Sequence, residues 1–266
     1  MSIASGWEKW ADWHEGEQHT TVAWLCRSAG IAPGMTVVDL ACGVGMPAIE
    51  IARRVGANGR VIACDVDAEM LAACNRRARV ANVELDLREL DMQDLRGIAD
   101  SSVDAVTSSF ALMFCPDPVK VMTEIRRVLK PDARFALSVW SEAAKNPFFT
   151  TIFAAVTKLM PSPPAVFGAP GPFRLGPPGE LERVARAAGF TDLAFEELPF
   201  EYQFDSLDHH WQVMSAMATP VKRAAETLPA SEVEQLRRAI ADAVAPYKVG
   251  DKLRIPATPA LATGRK

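Results

Sequence analysis

From Met35 onward, apolar positions along the chain alternate between two periods. Short β-branched runs predict buried parallel strands at 36–40, 60–64, 83–87, 103–107 and 134–139. Amphipathic stretches between them predict helices near 46–55, 68–80 and 117–129. In the last of these, Val119, Met122, Ile125, Val128 and Leu129 share one stripe, while Glu124, Arg126 and Arg127 fall outside it. Strand–helix–strand repetition with short connections implies an α/β fold: a doubly wound, mostly parallel sheet with helices on both faces.

The pattern changes after Trp140. Seven of the chain's 19 prolines fall between Pro161 and Pro178, which predicts a long, semi-rigid loop. Beyond it the spacing predicts a helix at about 179–188, stopped by Gly189, and an edge or antiparallel strand over Leu193–Phe204. Helices are expected near 207–217, 221–228 and 231–245, and a closing strand over Ala257–Gly264. Before the first strand, Trp7, Trp10 and Trp13 crowd into seven residues, with Trp10 and Trp13 on one helical face.

Composition narrows the class. With 266 residues and 49% apolar side chains, the chain can bury one large domain, or a domain of about 150 residues with an elaboration. The N-terminal residues show neither a basic n-region nor an apolar h-region, and no apolar run approaches the ~18 residues of a membrane span. A cytoplasmic location and no membrane partner are therefore expected. The five cysteines, at 26, 42, 64, 74 and 115, form no C-x-x-C pair, and the four histidines form no metal-binding spacing, so no metal is expected. Net charge is −4, and neither half carries the basic excess that phosphate contacts require, so no nucleic-acid partner is expected.

The chemistry concentrates where strands end. Val37-Val38-Asp39-Leu40-Ala41-Cys42-Gly43-Val44-Gly45-Met46-Pro47-Ala48 reads as a strand, a tight glycine turn and a helix start. The glycines alone also fit a dinucleotide fingerprint. Asp39 separates the two readings, because a carboxylate beside the turn would repel a pyrophosphate and attract an ammonium. Asp65 ends the next strand, where an acidic side chain can accept from both ribose hydroxyls. Asp91 and Met92 follow the third strand, where a carboxylate could accept from an adenine amino group, and Ser109 and Phe110 follow the fourth. Singly, Asp39 could cap the following helix, Asp65 could simply end a strand and Asp91 could be a turn residue.

With these segments in order, the chain resembles the class I S-adenosylmethionine-dependent methyltransferases of small-molecule type. The resemblance is carried by VVDLACGVG (37–45), GRVIACDVDAEML (59–71), ELDMQDL (89–95), SVDAVTSSFALMFCPD (102–117) and EIRRVLKPDARFALSVW (124–140). It implies a Rossmann-like fold with N- and C-terminal helical caps, and S-adenosylmethionine as cofactor. It further implies Asp39 and the Gly43/Gly45 turn around the methionine moiety, Asp65 on the ribose, Asp91 with Met92 at the adenine, and Ala41, Val66, Ser109 and Phe110 in the same cofactor site. Two departures show: Ala41 stands where many members have the first glycine, and Asp132-Ala133 replaces a Gly-Gly turn. The organisation expected is N-terminal lid helices over 1–30, a cofactor-binding core over 31–140, and over 141–266 a cap insertion with the closing strands and helices.

Acceptor recognition must come from outside that core. The Trp-rich N-terminal helix is either packed on the sheet edge or a lid over the site. His14 and His19, the histidines near it, are candidate general bases or solvent-facing residues. Of the 20 aromatic side chains, 12 lie between Trp140 and Trp211, so Phe148, Phe149, Phe153, Phe167, Phe173, Tyr202 and Trp211 either wall a pocket or form the core of a cap. Trp10, Trp13, Phe149, Phe173, Tyr202 and Trp211 are the substrate-binding candidates. The expected activity is transfer of a methyl group to O, N or C of a small, apolar or aromatic metabolite, of the kind found in secondary metabolism. The partner expected is that acceptor alone, with a homodimer left open as the assembly. The alternatives are cofactor binding without methyl transfer, and an NAD(P)-dependent oxidoreductase, against which Asp39 and the lack of a Tyr-x-x-x-Lys pair both speak.

Overall fold

A computed structural model describes residues 2–159 and 171–266 of the chain. Helices α1 (Ile3–Lys9) and α2 (Ala11–Ser28) precede β1 (Thr36–Leu40), α3 (Ala48–Val55), β2 (Arg60–Asp65), α4 (Ala68–Val80) and β3 (Asp86–Glu89). Then come β4 (Val103–Ser109), α5 (Pro118–Val128), β5 (Leu129–Trp140), α6 (Pro147–Leu159), α7 (Glu180–Ala187) and β6 (Thr191–Glu197). The remainder is β7 (Phe200–Phe204), α8 (Leu207–Met217), α9 (Thr219–Thr227), α10 (Ala230–Val244), β8 (Lys248–Val249), β9 (Lys252–Ala257) and β10 (Pro259–Arg265).

Seven strands form the main sheet in the order β3-β2-β1-β4-β5-β10-β6. The first five are parallel, and β10 runs antiparallel to both its neighbours. Strand alternation divides the core between two faces. Val37, Val61 and Ala105 pack with α2, α3 and α4, whereas Val38, Ile62 and Val106 join α5, α7 and the cap. The fold is therefore the Rossmann-like doubly wound architecture expected from the strand and helix periods. A second, three-stranded antiparallel sheet, β7-β9-β8, belongs to the segment inserted between β6 and β10. Among the described residues no helix is long and apolar enough to cross a membrane.

Several elements differ from their sequence expectation, each for a local reason. The strand expected at 83–87 begins at Asp86. Asn82 adopts φ 53° and the Val83 amide returns to the Ala78 carbonyl, so the apolar Val83 closes α4 instead. The single run over 193–204 is two strands in different sheets, parted at Leu198-Pro199. The closing strand starts after Thr258, and β9 precedes it. The N-terminal segment is two helices meeting at Trp10. Most of the proline-rich loop, with Phe167, lies outside the described residues.

Candidate active site

The turn after β1 is built on unusual backbone. Ala41, Gly43 and Gly45 adopt φ of 52°, 53° and 113°. At Gly43 a Cβ would meet no protein atom within 4 Å, so the turn leaves open space there. At Gly45 a Cβ would come within 2.9 Å of Ile49 Cδ1, so this glycine serves close packing of α3. Asp65, at the end of β2, holds the turn: its Oδ2 accepts from the Gly43 amide at 2.8 Å and its Oδ1 from the Asp67 amide at 3.0 Å.

Asp39 does not face that open space. The β1–β4 register sets it beside Thr107, whose hydroxyl donates to Asp39 Oδ1 at 2.7 Å. The carboxyl is fully buried, and Oδ2 has no hydrogen-bond partner among the described residues. Burial pushes its pKa up to about 7, against the opposing pull of Thr107 and of the Ala48 amide at the start of α3. The sequence expectation of a ligand-facing Asp39 is thus corrected to a buried group beneath the turn, and α3 carries no side-chain cap.

A cavity of about 720 Å³ opens at the carboxyl ends of the parallel strands. One wall brings together Ala41, Gly43, Asp65, Val66, Asp91, Met92, Ser109 and Phe110, all expected from sequence. Asp65 is 9% exposed and Val66 65% exposed, so a ligand here would meet a carboxylate edge and a free apolar side chain. Asp91 accepts from the Gln93 amide at 2.8 Å. Phe110 sits at φ 55° and stacks on Trp140 with ring centroids 4.0 Å apart. A bulky residue held in left-handed backbone marks a place where the surroundings fix the conformation.

The opposite wall is aromatic. Trp13 and His14 from α2, Phe148, Phe149 and Phe153 from α6, and Tyr202 from β7 face the cavity. Tyr202 is buried and stacks on Phe148 with centroids 3.9 Å apart. Its hydroxyl lies 3.2 Å from His14 Nε2 and accepts from Gln18 Nε2 at 2.5 Å. Burial first, then the positive charge of Arg77, pushes the His14 pKa down to about 4. His14 is therefore a neutral imidazole across the ordinary range.

The remaining candidates are placed elsewhere. His19 is exposed, with Nδ1 2.7 Å from the Gly16 carbonyl. Together with Gly45 it lines a second cavity of about 300 Å³ between α2 and α3, which shares Glu15 and Met46 with the first. Trp10 packs against His209 with centroids 5.2 Å apart, Trp211 is half-buried outside the lining, and Phe173 stands behind Phe149 and Phe153. His19 thus takes its solvent-facing alternative, and the sequence expectations for Trp10, Trp211 and Phe173 as cavity residues are corrected. Residues the sequence did not single out include Trp140, Ile152, Met214 and Met217 in the lining, and Gln18 behind it. Only Trp140 had a signal, as the last apolar residue of a strand whose carboxyl end faces the site.

Residues 38–137 match the model of the family described as a methyltransferase domain. The chain is 34% identical over 141 residues to a demethylmenaquinone methyltransferase of Lactobacillus johnsonii, covering 52% of this chain and 57% of that protein. It is 32% identical over 143 residues to a 2-phytyl-1,4-naphtoquinone methyltransferase of Trichormus variabilis, covering 51% and 60%. The chain thus spans less than two thirds of the length of these curated relatives. Among solved structures, a putative methyltransferase of Bacillus halodurans superposes with TM-score 0.60 at 18% identity, over 93% of this chain and 99% of that one. The [4+2]-cyclase SpnF superposes with TM-score 0.59 at 21% identity, over 93% and 80%.

Proposed function

We propose that the chain binds S-adenosylmethionine and moves its methyl group to a small apolar or aromatic acceptor, a reading supported by the match of residues 38–137 to the methyltransferase-domain model. One observation carries this reading: a single cavity has the open glycine turn with Asp65 and Asp91 on one wall, and aromatic side chains with one neutral histidine on the other. The first wall fits the cofactor. Gly43 leaves room for backbone approach, Asp65 keeps lone pairs for ribose hydroxyls beyond its two amide bonds, and Asp91 with Met92 suits an adenine. Asp39 contributes from beneath by holding β1 to β4 through Thr107.

When bound, S-adenosylmethionine supplies a methyl carbon already activated by a positively charged sulfur. The chain's own task is then mainly alignment and exclusion of water, and positioning of this kind can be worth roughly 7–11 kcal/mol. Trp13, Phe149 and Tyr202 would hold the acceptor, and His14 is the group that can meet its polar atom. O-, N- and C-methylation all remain within this reading, as does a homodimer. The five buried, unpaired cysteines support a reducing, cytoplasmic setting, and the apolar wall supports a metabolite of the secondary kind.

Calorimetric titration with S-adenosylhomocysteine and, separately, with NADH tests the cofactor half. S-adenosylhomocysteine should bind, and Gly43→Val should abolish that binding, because the branched side chain would fill the open space and strain a turn at φ 53°. Incubation with labelled S-adenosylmethionine and a metabolite extract should then yield a labelled product. NADH binding without a response to S-adenosylhomocysteine would overturn the proposal. Tight S-adenosylhomocysteine binding with no product across a broad acceptor panel would replace it with cofactor binding without transfer.

A further inference from the structure

The aromatic wall contains a hydrogen-bonded chain that cofactor binding leaves unexplained. Gln18 is fully buried in α2 and donates to the Tyr202 hydroxyl, which in turn lies against His14 Nε2. A phenolic oxygen that accepts from an amide still has its own proton to give, and Nε2 can take it. A neutral imidazole that accepts at Nε2 must carry its proton on Nδ1. Nδ1 has no hydrogen bond to any described residue, and the ring lines the cavity. Around it stand Trp7, Trp13 and Tyr202, with centroids 5.1, 6.4 and 6.0 Å from the imidazole. Those rings offer no strong acceptor for an N–H.

We infer that the acceptor is an aromatic or enolic compound bound through an oxygen atom that accepts from the Nδ1–H of His14, with Gln18 and Tyr202 as positioning residues that fix the imidazole tautomer. This rests on the methyl-transfer reading, since it assigns the half of the cavity left to the acceptor. A hydrocarbon ring would leave the N–H dry and unpaired, the penalty a buried donor incurs when its partner is removed. A phenolate or enolate oxygen accepts most strongly, because hydrogen bonds to charged acceptors are the stronger ones. The same contact favours the ionised form of a bound phenol. His14 then acts as a donor that stabilises the acceptor's oxygen, and its lowered basicity suits that task.

The test uses the full chain and two probes of similar shape, 4-nitrophenol and nitrobenzene, with and without S-adenosylhomocysteine. The unchanged chain should bind 4-nitrophenol about tenfold more tightly than nitrobenzene, matching one good hydrogen bond. The absorption band of the ionised phenol should be enriched in the bound probe. His14→Phe should erase both the preference and the band. Tyr202→Phe and Gln18→Met should each weaken both, and the double variant should lose no more than either alone, because both act through one nitrogen. A merely structural role for Gln18 would leave the band of the bound probe unchanged, and that result would overturn its assignment. Equal affinity for the two probes in the unchanged chain would overturn the inference while leaving methyl transfer standing. Failure of S-adenosylhomocysteine to bind would overturn methyl transfer alone, since the probe ratio measured without it still decides the oxygen anchor.

Discussion

Asp39 keeps a carboxyl group under the glycine turn with one oxygen bonded to Thr107 and the other unpartnered. A carboxyl pKa raised to about 7 means that the folded state prefers the protonated form. The associated stability is full below about pH 4, the unfolded value, and is lost as the pH rises through about 7. Asp39→Asn is neutral throughout, so the difference between its stability–pH curve and that of the unchanged chain should open across this window. At pH 8 the variant should be the more stable by roughly 1–3 kcal/mol in chemical denaturation; parallel curves would show that another group titrates. The sequence made Asp39 conspicuous but not its direction, because facing the ligand or the sheet depends on the β1–β4 register with Thr107. Ala41 and Asp132, which stand where many of the methyltransferases that the chain resembles carry glycine, both adopt positive φ, at 52° and 64°. Left-handed backbone costs a non-glycine residue about 1–2 kcal/mol, and glycine's extra freedom in the unfolded chain offsets part of that. Ala41→Gly should therefore raise stability by about 0.5–1 kcal/mol, and a loss measured by denaturation would show that the Ala41 methyl group packs usefully.

The N-terminal helices are fastened on two sides. Arg76 pairs with Glu8 at 2.6 Å, and Arg77 reaches Glu15 at 2.7 Å and the Val44 carbonyl at 3.0 Å, tying α2 to the turn after β1. On the other side Trp13 Nε1 donates to the Gln203 carbonyl at 3.1 Å, and Glu17 accepts from the Gln203 amide at 2.9 Å. The pair of Arg77 with Asp12 adds little, since Asp12 is 98% exposed. Arg77→Ala should cost about 1–2 kcal/mol and speed amide exchange in residues 3–15, with a severalfold loss of S-adenosylhomocysteine affinity. Exchange rates identical to those of the unchanged chain would show that Arg77 is not the fastening. The sequence shows a Trp-rich helix here but not its two clasps, whose contacts join residues 33 to 190 positions apart. Strands β1, β2, β4 and β5 are legible because buried parallel strands carry short, mostly apolar, β-branched runs. Helix α6 was not: Pro147–Leu159 is apolar nearly all round, and such a run has no polar face to set its period. Asn146 fixes its start, donating to the Ser141 carbonyl at 3.3 Å and accepting from the Thr258 amide at 2.9 Å, contacts that no local pattern foretells.

Across the whole molecule one buried cluster runs from Val38 and Leu40 of β1 through Phe148 and Val156 of α6 to Tyr202, Ile240 and Ile255 of the inserted segment. Modules that share a core lose it together. Calorimetric unfolding should give a single transition that S-adenosylhomocysteine shifts upward as a unit; two resolved transitions would mean that the inserted segment melts on its own. The order of strands has a further consequence. β10 lies between β5 and β6, yet it follows the whole inserted segment in the chain. On the ribosome, β5 and β6 therefore both emerge before the strand that must separate them exists. Until β10 arrives, the outer edge of β5 is an unpaired ladder, which invites pairing with other nascent chains. Lys130, Asp132 and Arg134 put mixed charge along the first half of β5, and Asp192, Glu196 and Glu197 put negative charge on β6. On β6 the like charges oppose pairing with a second copy of the same strand during the interval in which translation has outrun the sheet.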